Sequence, residues 1–209
     1  AFGRDRVLGS LANTSGELLP SGEVLFTRNV NLLVGELAGG DSERAQRVAA
    51  AIDASGVRST AVPDILSLEW SKFASWTGFM MLAVSTRAST GEYMTDPDAA
   101  LLLARLVRET GALAHASGIQ LTDQSMLPVA TMCRVSEKEA VDAVMQAGED
   151  FKHNAPQHRM SSLQDLVAGR PLEIEETIGF AVSEAARLKV QAPLMEALCH
   201  LVRAIDRTR

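Results

Sequence analysis

The chain of 209 residues is 46% apolar and carries a formal charge of −6, which allows one large domain, or one and a half, with a substantial buried core. It has no Lys/Arg-rich run to follow a phosphate backbone or an anionic membrane, which argues against nucleic acid as a partner. The longest apolar run, residues 73–84, contains Ser75, Thr77 and Gly78 and is shorter than the ~20 residues of a membrane span, and the opening AFGRDRVLGS lacks the apolar core of a signal peptide.

Residues 7–11, 23–28 and 32–37 are short Val- and Leu-rich segments separated by TSGELLPSG and by residues 29–31. The pattern is one of strands joined by turns in a small, mainly antiparallel β element. AGGDS then opens a helix: Asp41 or Ser42 can cap it, Ala45, Val48, Ala49 and Ile52 recur at helical spacing, and Gly56 ends it. Residues 57–62 read as one more strand, so that the first 62 residues form the tail of an α/β domain. From residue 63 to 209 the pattern is helical. Ile65, Leu68, Lys72, Trp76, Phe79 and Ala83 share one face of a helix of roughly twenty residues. A second helix has Asp96 as N-cap, Pro97 at its first position and Gly118 as its stop. A third starts at the capping box Ser136-Glu137-Lys138-Glu139 and runs to about Lys152. SSLQDLVA starts a further helix that stops at Gly169-Arg170-Pro171, and two last helices span about 174–188 and 193–205.

Lys72 stands on a stripe that should face inward, where a cation must snorkel out, find a partner or serve a site; at a site it supplies a positive charge and a transferable proton. Glu173, Glu175 and Glu176 suit the first turn of a helix, where the dipole favours each acid by about 0.3–1 kcal/mol. Glu173 facing Lys72 would hold the ammonium in place. Ser161 and Ser162 read as N-cap residues, or as hydroxyls that hold a carboxylate. His115, His153, His158 and His200 have no metal-ligand spacing, so no metal is expected. Cys133 and Cys199 read as reduced, mostly buried thiols of a cytoplasmic protein. GELAGG at 35–40 lacks the Gly-x-Gly-x-x-Gly order of a dinucleotide fingerprint.

The run from Ser161 to Ile205, together with LEWSKF and STGEY, resembles the C-terminal substrate domain of ketopantoate reductases. RVLGSLANTSGELLPSGEVLF and NLLVGEL resemble the segments that close the nucleotide domain of that family. The most specific parts are W-x-K at 70–72 and LQD-x₃-GRP-x-EI at 163–174. The resemblance implies a mainly α fold: residues 1–62 are an incomplete α/β Rossmann remnant, and residues 63–209 a helical domain of the 6-phosphogluconate dehydrogenase C-terminal-like type. It implies NADPH-dependent reduction of a small 2-keto acid, ketopantoate, on the route to pantothenate and coenzyme A, by a cytoplasmic enzyme that forms a homodimer. Lys72 matches the family's general acid, Glu173 the acid that orients this lysine and holds a substrate hydroxyl, and Ser161, or Ser162 beside it, the serine that binds the substrate carboxylate. Four further substrate-binding positions depart from the family's asparagines: Trp76, Met80, Thr90 and His158. An indole and a thioether in place of amides make the site more apolar, which points to a bulkier or more apolar 2-keto acid as the alternative substrate. A different class of function is a helical binding or dimerisation module, whose face of Trp76, Phe79, Met80 and Met81 packs on a partner. The cofactor fingerprint itself is not among these residues, and a longer polypeptide is the expectation.

Overall fold

The computed structural model describes residues 3–19 and 21–208 and divides into two compact units, the first ending at Glu69 and the second starting at Trp70. The chain is mainly α, with one small sheet.

In the first unit, strands β1 (Leu8–Leu18) and β2 (Val24–Glu36) form an antiparallel hairpin, and β3 (Ser59–Ala61) adds to β2 in parallel, giving the order β1-β2-β3. The three short strands expected before residue 38 are therefore two long ones. The polar residues that read as turns pair across the ladder instead: Thr14 faces Asn29, bulges at 12–14 and 15–16 absorb the register shifts, and Asn13 Nδ2 donates to Asn31 Oδ1 over 2.8 Å. Side chains that pair with each other across strands remove the turn signal those residues carry alone. The actual reversal is at Gly22, with φ +86°, where the Gly22 N–H donates to Leu19 C=O.

Helix α1 (Glu43–Asp53) joins β2 to β3; its N-cap is Ser42, whose hydroxyl accepts from the Ala45 N–H at 3.3 Å, and Ala45 and Ala49 are buried. Beneath the sheet, Leu11 packs with Ile65 and Leu68 and with Leu33 and Val62. Gly9 and Gly35 permit this contact: a Cβ on Gly9 would lie 2.8 Å from Ile65 Cγ2, and one on Gly35 2.6 Å from the Val62 carbonyl.

The long helix α2 (Ile65–Thr86) contains the division between the units. Phe79 to Val84 are all buried, as expected of a helix apolar on every side. After it come α3 (Thr90–Thr95), α4 (Pro97–Ala116), α5 (Val129–Met132), α6 (Glu137–Asn154), α7 (Ser161–Val167), a π-helical turn (Glu175–Gly179), α8 (Phe180–Leu188) and α9 (Pro193–Thr208). The sequence signals for α4 and α6 hold: Asp96 Oδ1 accepts from Asp98 and Ala99, and Ser136 and Glu139 make the reciprocal capping box. The start of α9, where Pro193 has no N–H, is capped from α4, with the Glu109 carboxylate accepting from Leu194 and Met195 at 3.0 and 2.7 Å. Helices α3 and α5, of six and four residues, are too short to show a period in the sequence.

Helices α3 and α6 approach so closely that glycines line the crossing. A Cβ on Gly148 would stand 2.8 Å from Met94 Cβ and 3.0 Å from the Met94 carbonyl carbon, and one on Gly91 3.0 Å from the Lys152 nitrogen. This crossing fixes α3, and with it Thr90.

Candidate active site

Lys72, Trp76 and Met80 follow one another at single turns of α2 and so share a face. Lys72 and Trp76 are half-buried and Met80 is buried. Burial presses the Lys72 ammonium below its ordinary pKa, since a low-dielectric surrounding penalises the charged form. Trp70 and Phe73 meet edge to face beside it, with ring centroids 5.8 Å apart. Phe79, Met80 and Met81, the face expected to dock a partner in the binding-module reading, are at most 1% exposed and lie in the unit's own core. Three of the four residues of that face are therefore covered within the unit, and the fourth, Trp76, is half-buried.

Between α7 and the π turn the chain reverses through a Schellman motif: Gly169 takes φ +67°, its N–H donates to Leu166 C=O, and Arg170 N–H donates to Asp165 C=O at 2.8 Å. Residues 170–174 then run without helix to the π turn, so the single helix expected over 174–188 begins with a wider turn, closed by the Gly179 N–H on the Ile174 carbonyl at 2.8 Å. Leu172 and Ile174 are buried and Glu173 between them is exposed. Glu173 makes no ion pair among the described residues. Its carbonyl accepts from the Thr177 hydroxyl, whose oxygen also lies 3.9 Å from Met80 Sδ. Thr177 thus ties the Glu173 segment to the α2 stripe at Met80, two turns beyond Lys72.

Neither Ser161 nor Ser162 caps α7. The N-cap position is Met160, which offers no side-chain acceptor, and the serines are the first two helical residues. Ser161 is exposed, whereas Ser162 is 6% exposed and its hydroxyl has no hydrogen-bond partner. Thr90 and His158 are brought together: Thr90 N–H donates to the His158 carbonyl, and Thr90 Oγ1 lies 2.9 Å from His158 Nδ1. The His158 ring also leans on Phe151, centroids 5.1 Å apart. Tyr93, one turn after Thr90, is absent from the sequence expectations. It is 2% exposed, its hydroxyl has no hydrogen bond of normal geometry, and burial pushes the phenol well above its ordinary pKa, with Thr90 drawing it partly back. Its being the one tyrosine of the chain, inside STGEY, was the available signal.

The GELAGG turn joins a strand to a helix, and Gly39 and Gly40 take φ +78° and +89°. The head of α1 is nonetheless filled by Glu36, whose carboxylate accepts from Ser42 Oγ at 2.5 Å and from Arg44 Nε and Nη2 at 3.2 and 2.5 Å. Arg44 and Ser42 hold this carboxyl below its ordinary pKa. A phosphate there would meet a fixed negative charge. A groove of about 400 Å³ between α1 and β3 is lined by none of the predicted site residues. Among the described residues no group of three His, Cys, Asp or Glu side chains could hold a metal, and no helix is long and apolar enough to cross a membrane.

Residues 64–206 match the sequence model of the ketopantoate reductase PanE/ApbA C-terminal family. The chain is 27% identical over 205 residues to the 2-dehydropantoate 2-reductase of Mesorhizobium japonicum, covering 98% of this chain and 56% of that one. It is 26% identical over 202 residues to the enzyme of the same name from Archaeoglobus fulgidus, covering 96% and 61%. The chain thus spans little more than half the length of these relatives. Its fold is similar to that of 2-dehydropantoate 2-reductase from Methylococcus capsulatus (TM-score 0.74, 23% identity, 96% of this chain and 58% of that one). It is also similar to D-mandelate dehydrogenase, solved as a complex with NADH (TM-score 0.81, 17% identity, 99% and 64%). The match over most of the chain, on the helical unit that carries Lys72 and Glu173, means that this chain belongs to the ketopantoate reductase family and carries that family's C-terminal domain.

Proposed function

We propose that the helical unit is the substrate-binding and catalytic half of an NADPH-dependent reductase that converts a 2-keto acid to a 2-hydroxy acid. The observation that carries this reading is Lys72: a lysine half-buried on an apolar helix face, with its ammonium destabilised by burial and therefore disposed to give up a proton. Reduction of a ketone leaves charge on the carbonyl oxygen; Lys72 would donate the proton there and stabilise that charge as it forms. Glu173 would orient the lysine and accept from a substrate hydroxyl, and Ser161 or Ser162 would donate to the substrate carboxylate. Thr90 and His158, already bonded to each other, would supply the remaining polar part of the site. A nicotinamide dinucleotide supplies the hydride, and none of the described residues is assigned to hold it. A homodimer is the proposed assembly, supported by a ketopantoate reductase of Staphylococcus aureus described as dimeric; sedimentation as a monomer at high concentration would oppose it.

A second reading of the substrate rests on Trp76 and Met80. An indole and a thioether offer one donor and one weak acceptor where a strongly polar substrate wants amides, and D-mandelate dehydrogenase, similar in fold, was solved with NADH and anilino(oxo)acetate, an aromatic oxo acid. Steady-state reduction of ketopantoate and of aromatic 2-keto acids by the intact reductase, with NADPH and with NADH, tests both readings. Turnover unchanged by Lys72→Ala would refute the catalytic one.

A further inference from the structure

Glu173 is exposed, yet the chain on both sides of it is fastened to a single face of α9. On its N-terminal side the Leu172 N–H donates to Asp206 Oδ1 at 3.3 Å. On its C-terminal side the Glu175 carboxylate receives the fork of Arg203, with Nε at 2.7 Å and Nη2 at 2.6 Å. Arg203 and Asp206 are three residues apart on α9 and so project from neighbouring turns of the same side. The ion pair lies over Gly179, the residue that closes the π turn: a Cβ there would stand 2.7 Å from Glu175 Oε2 and 3.3 Å from Arg203 Nη2. The buried side chains of Leu172 and Ile174 anchor the segment from below. Glu173 is thus the exposed point of a short non-helical span held at its start, its end and its underside. π-Helical turns occur often at functional sites, and here the turn begins two residues after the acid.

We propose that Arg203 and Asp206 are positioning residues for Glu173, setting where its carboxylate meets the substrate and Lys72; this rests on the catalytic reading given above. A planar guanidinium binding a carboxylate through two parallel bonds fixes direction as well as distance. As an ion pair for global stability it counts for little, because the Glu175 side chain is 64% exposed and solvent screens it. Its effect belongs in the geometry of one turn.

The test uses the intact reductase, the reference variants Lys72→Met and Glu173→Gln, and four variants of the support, Arg203→Met, Glu175→Gln, Asp206→Asn and the charge swap Glu175→Arg with Arg203→Glu. The control is Glu184→Gln, which breaks the similar Glu184–Arg187 pair on α8 without touching residues 172–179. Misplacing a reacting group slightly is enough to lose an order of magnitude or more, so Arg203→Met and Glu175→Gln are expected to lower kcat about tenfold with little change in KM. The melting temperature should move by less than about 3 °C. The swapped pair should regain most of the lost kcat, Asp206→Asn should lose less than Arg203→Met, and the control should match the parent. If Lys72→Met and Glu173→Gln abolish turnover while the Arg203, Glu175 and Asp206 variants keep parental kcat and KM, the positioning role is overturned and the catalytic reading stands. If Lys72→Met and Glu173→Gln themselves leave turnover intact, the catalytic reading falls and takes the positioning role with it.

Discussion

Thr90 and His158 are joined twice, by the Thr90 N–H on the His158 carbonyl and by Thr90 Oγ1 on His158 Nδ1, each at 2.9 Å. The Thr90 hydroxyl is fully buried, so replacing it with a methyl removes one of the two hydrogen bonds that join α3 to His158. Thr90→Val is expected to destabilise the protein by about 1–3 kcal/mol in urea unfolding. Thr90→Ser, which keeps the oxygen, should recover most of that. Equal stability of both variants and the parent would show that the pair contributes nothing.

Gly148 should tolerate no side chain. Its Cβ would fall 2.8–3.0 Å from Met94 Cβ, Thr95 Cγ2 and the Met94 backbone, and backbone cannot rotate aside as a side-chain tip can. Gly148→Ala is expected to cost about 1–3 kcal/mol, despite the helix propensity alanine brings, and to perturb the placement of Thr90 as α3 moves off α6. A thermal melt that rises on this substitution would contradict the close approach.

Ser161 and Ser162 can be separated by experiment. The unpartnered, buried hydroxyl of Ser162 is unfavourable without a ligand, so Ser162→Ala should leave stability unchanged or raise it by up to about 1 kcal/mol. If Ser162 binds the substrate carboxylate, the same variant raises KM about tenfold or more, whereas Ser161→Ala, at an exposed position, changes KM less. The reverse order of KM effects would assign the carboxylate to Ser161.

Lys72 offers a stability readout as well as a kinetic one. Burial lowers its folded-state pKa below the unfolded value of about 10.4. The charged form is thus disfavoured in the fold, and stability is lost as pH falls through the folded pKa and recovered as pH rises towards the unfolded one. Lys72→Met removes that penalty, so its melting temperature at neutral pH should equal or exceed the parent's, with the difference narrowing as pH rises towards 10. Its turnover should fall by about 100-fold or more, and the alkaline limb of the parental kcat/KM profile should be absent. A variant less stable than the parent across the whole range would contradict this penalty.

Elements with local punctuation were legible in the sequence. Asp96-Pro97 and the Ser136–Glu139 box gave the starts of α4 and α6 because capping chemistry lies within four residues. The hairpin was less legible for the opposite reason: its ladder carries polar residues such as Asn13 and Asn31 that bond to each other across the strands, a fact about pairing that no single segment contains. The serines failed as caps through a shift of one position, which a hydroxyl pattern cannot resolve. Lys72 was legible as a cation on an apolar stripe. The partners of Leu172 and Glu175, namely Asp206 and Arg203, were not, since they act through tertiary contacts from residues that read alone as ordinary surface positions.

The π turn at Glu175–Gly179 has a bearing on length as well as on shape. A π turn holds one residue more than the α turn it replaces, and each residue of an α-helix advances the chain by about 100°. The residues of the π turn cover about the angle that one fewer would cover in an α-helix, so removing one and closing a regular α turn would leave Glu173 at about the same angle to the buried Ala181 and Ala185 face of α8. The extra residue therefore goes into the width of the turn and not into the bearing of the acid, and what the turn has to keep is the pairing of Glu175 with Arg203 over Gly179.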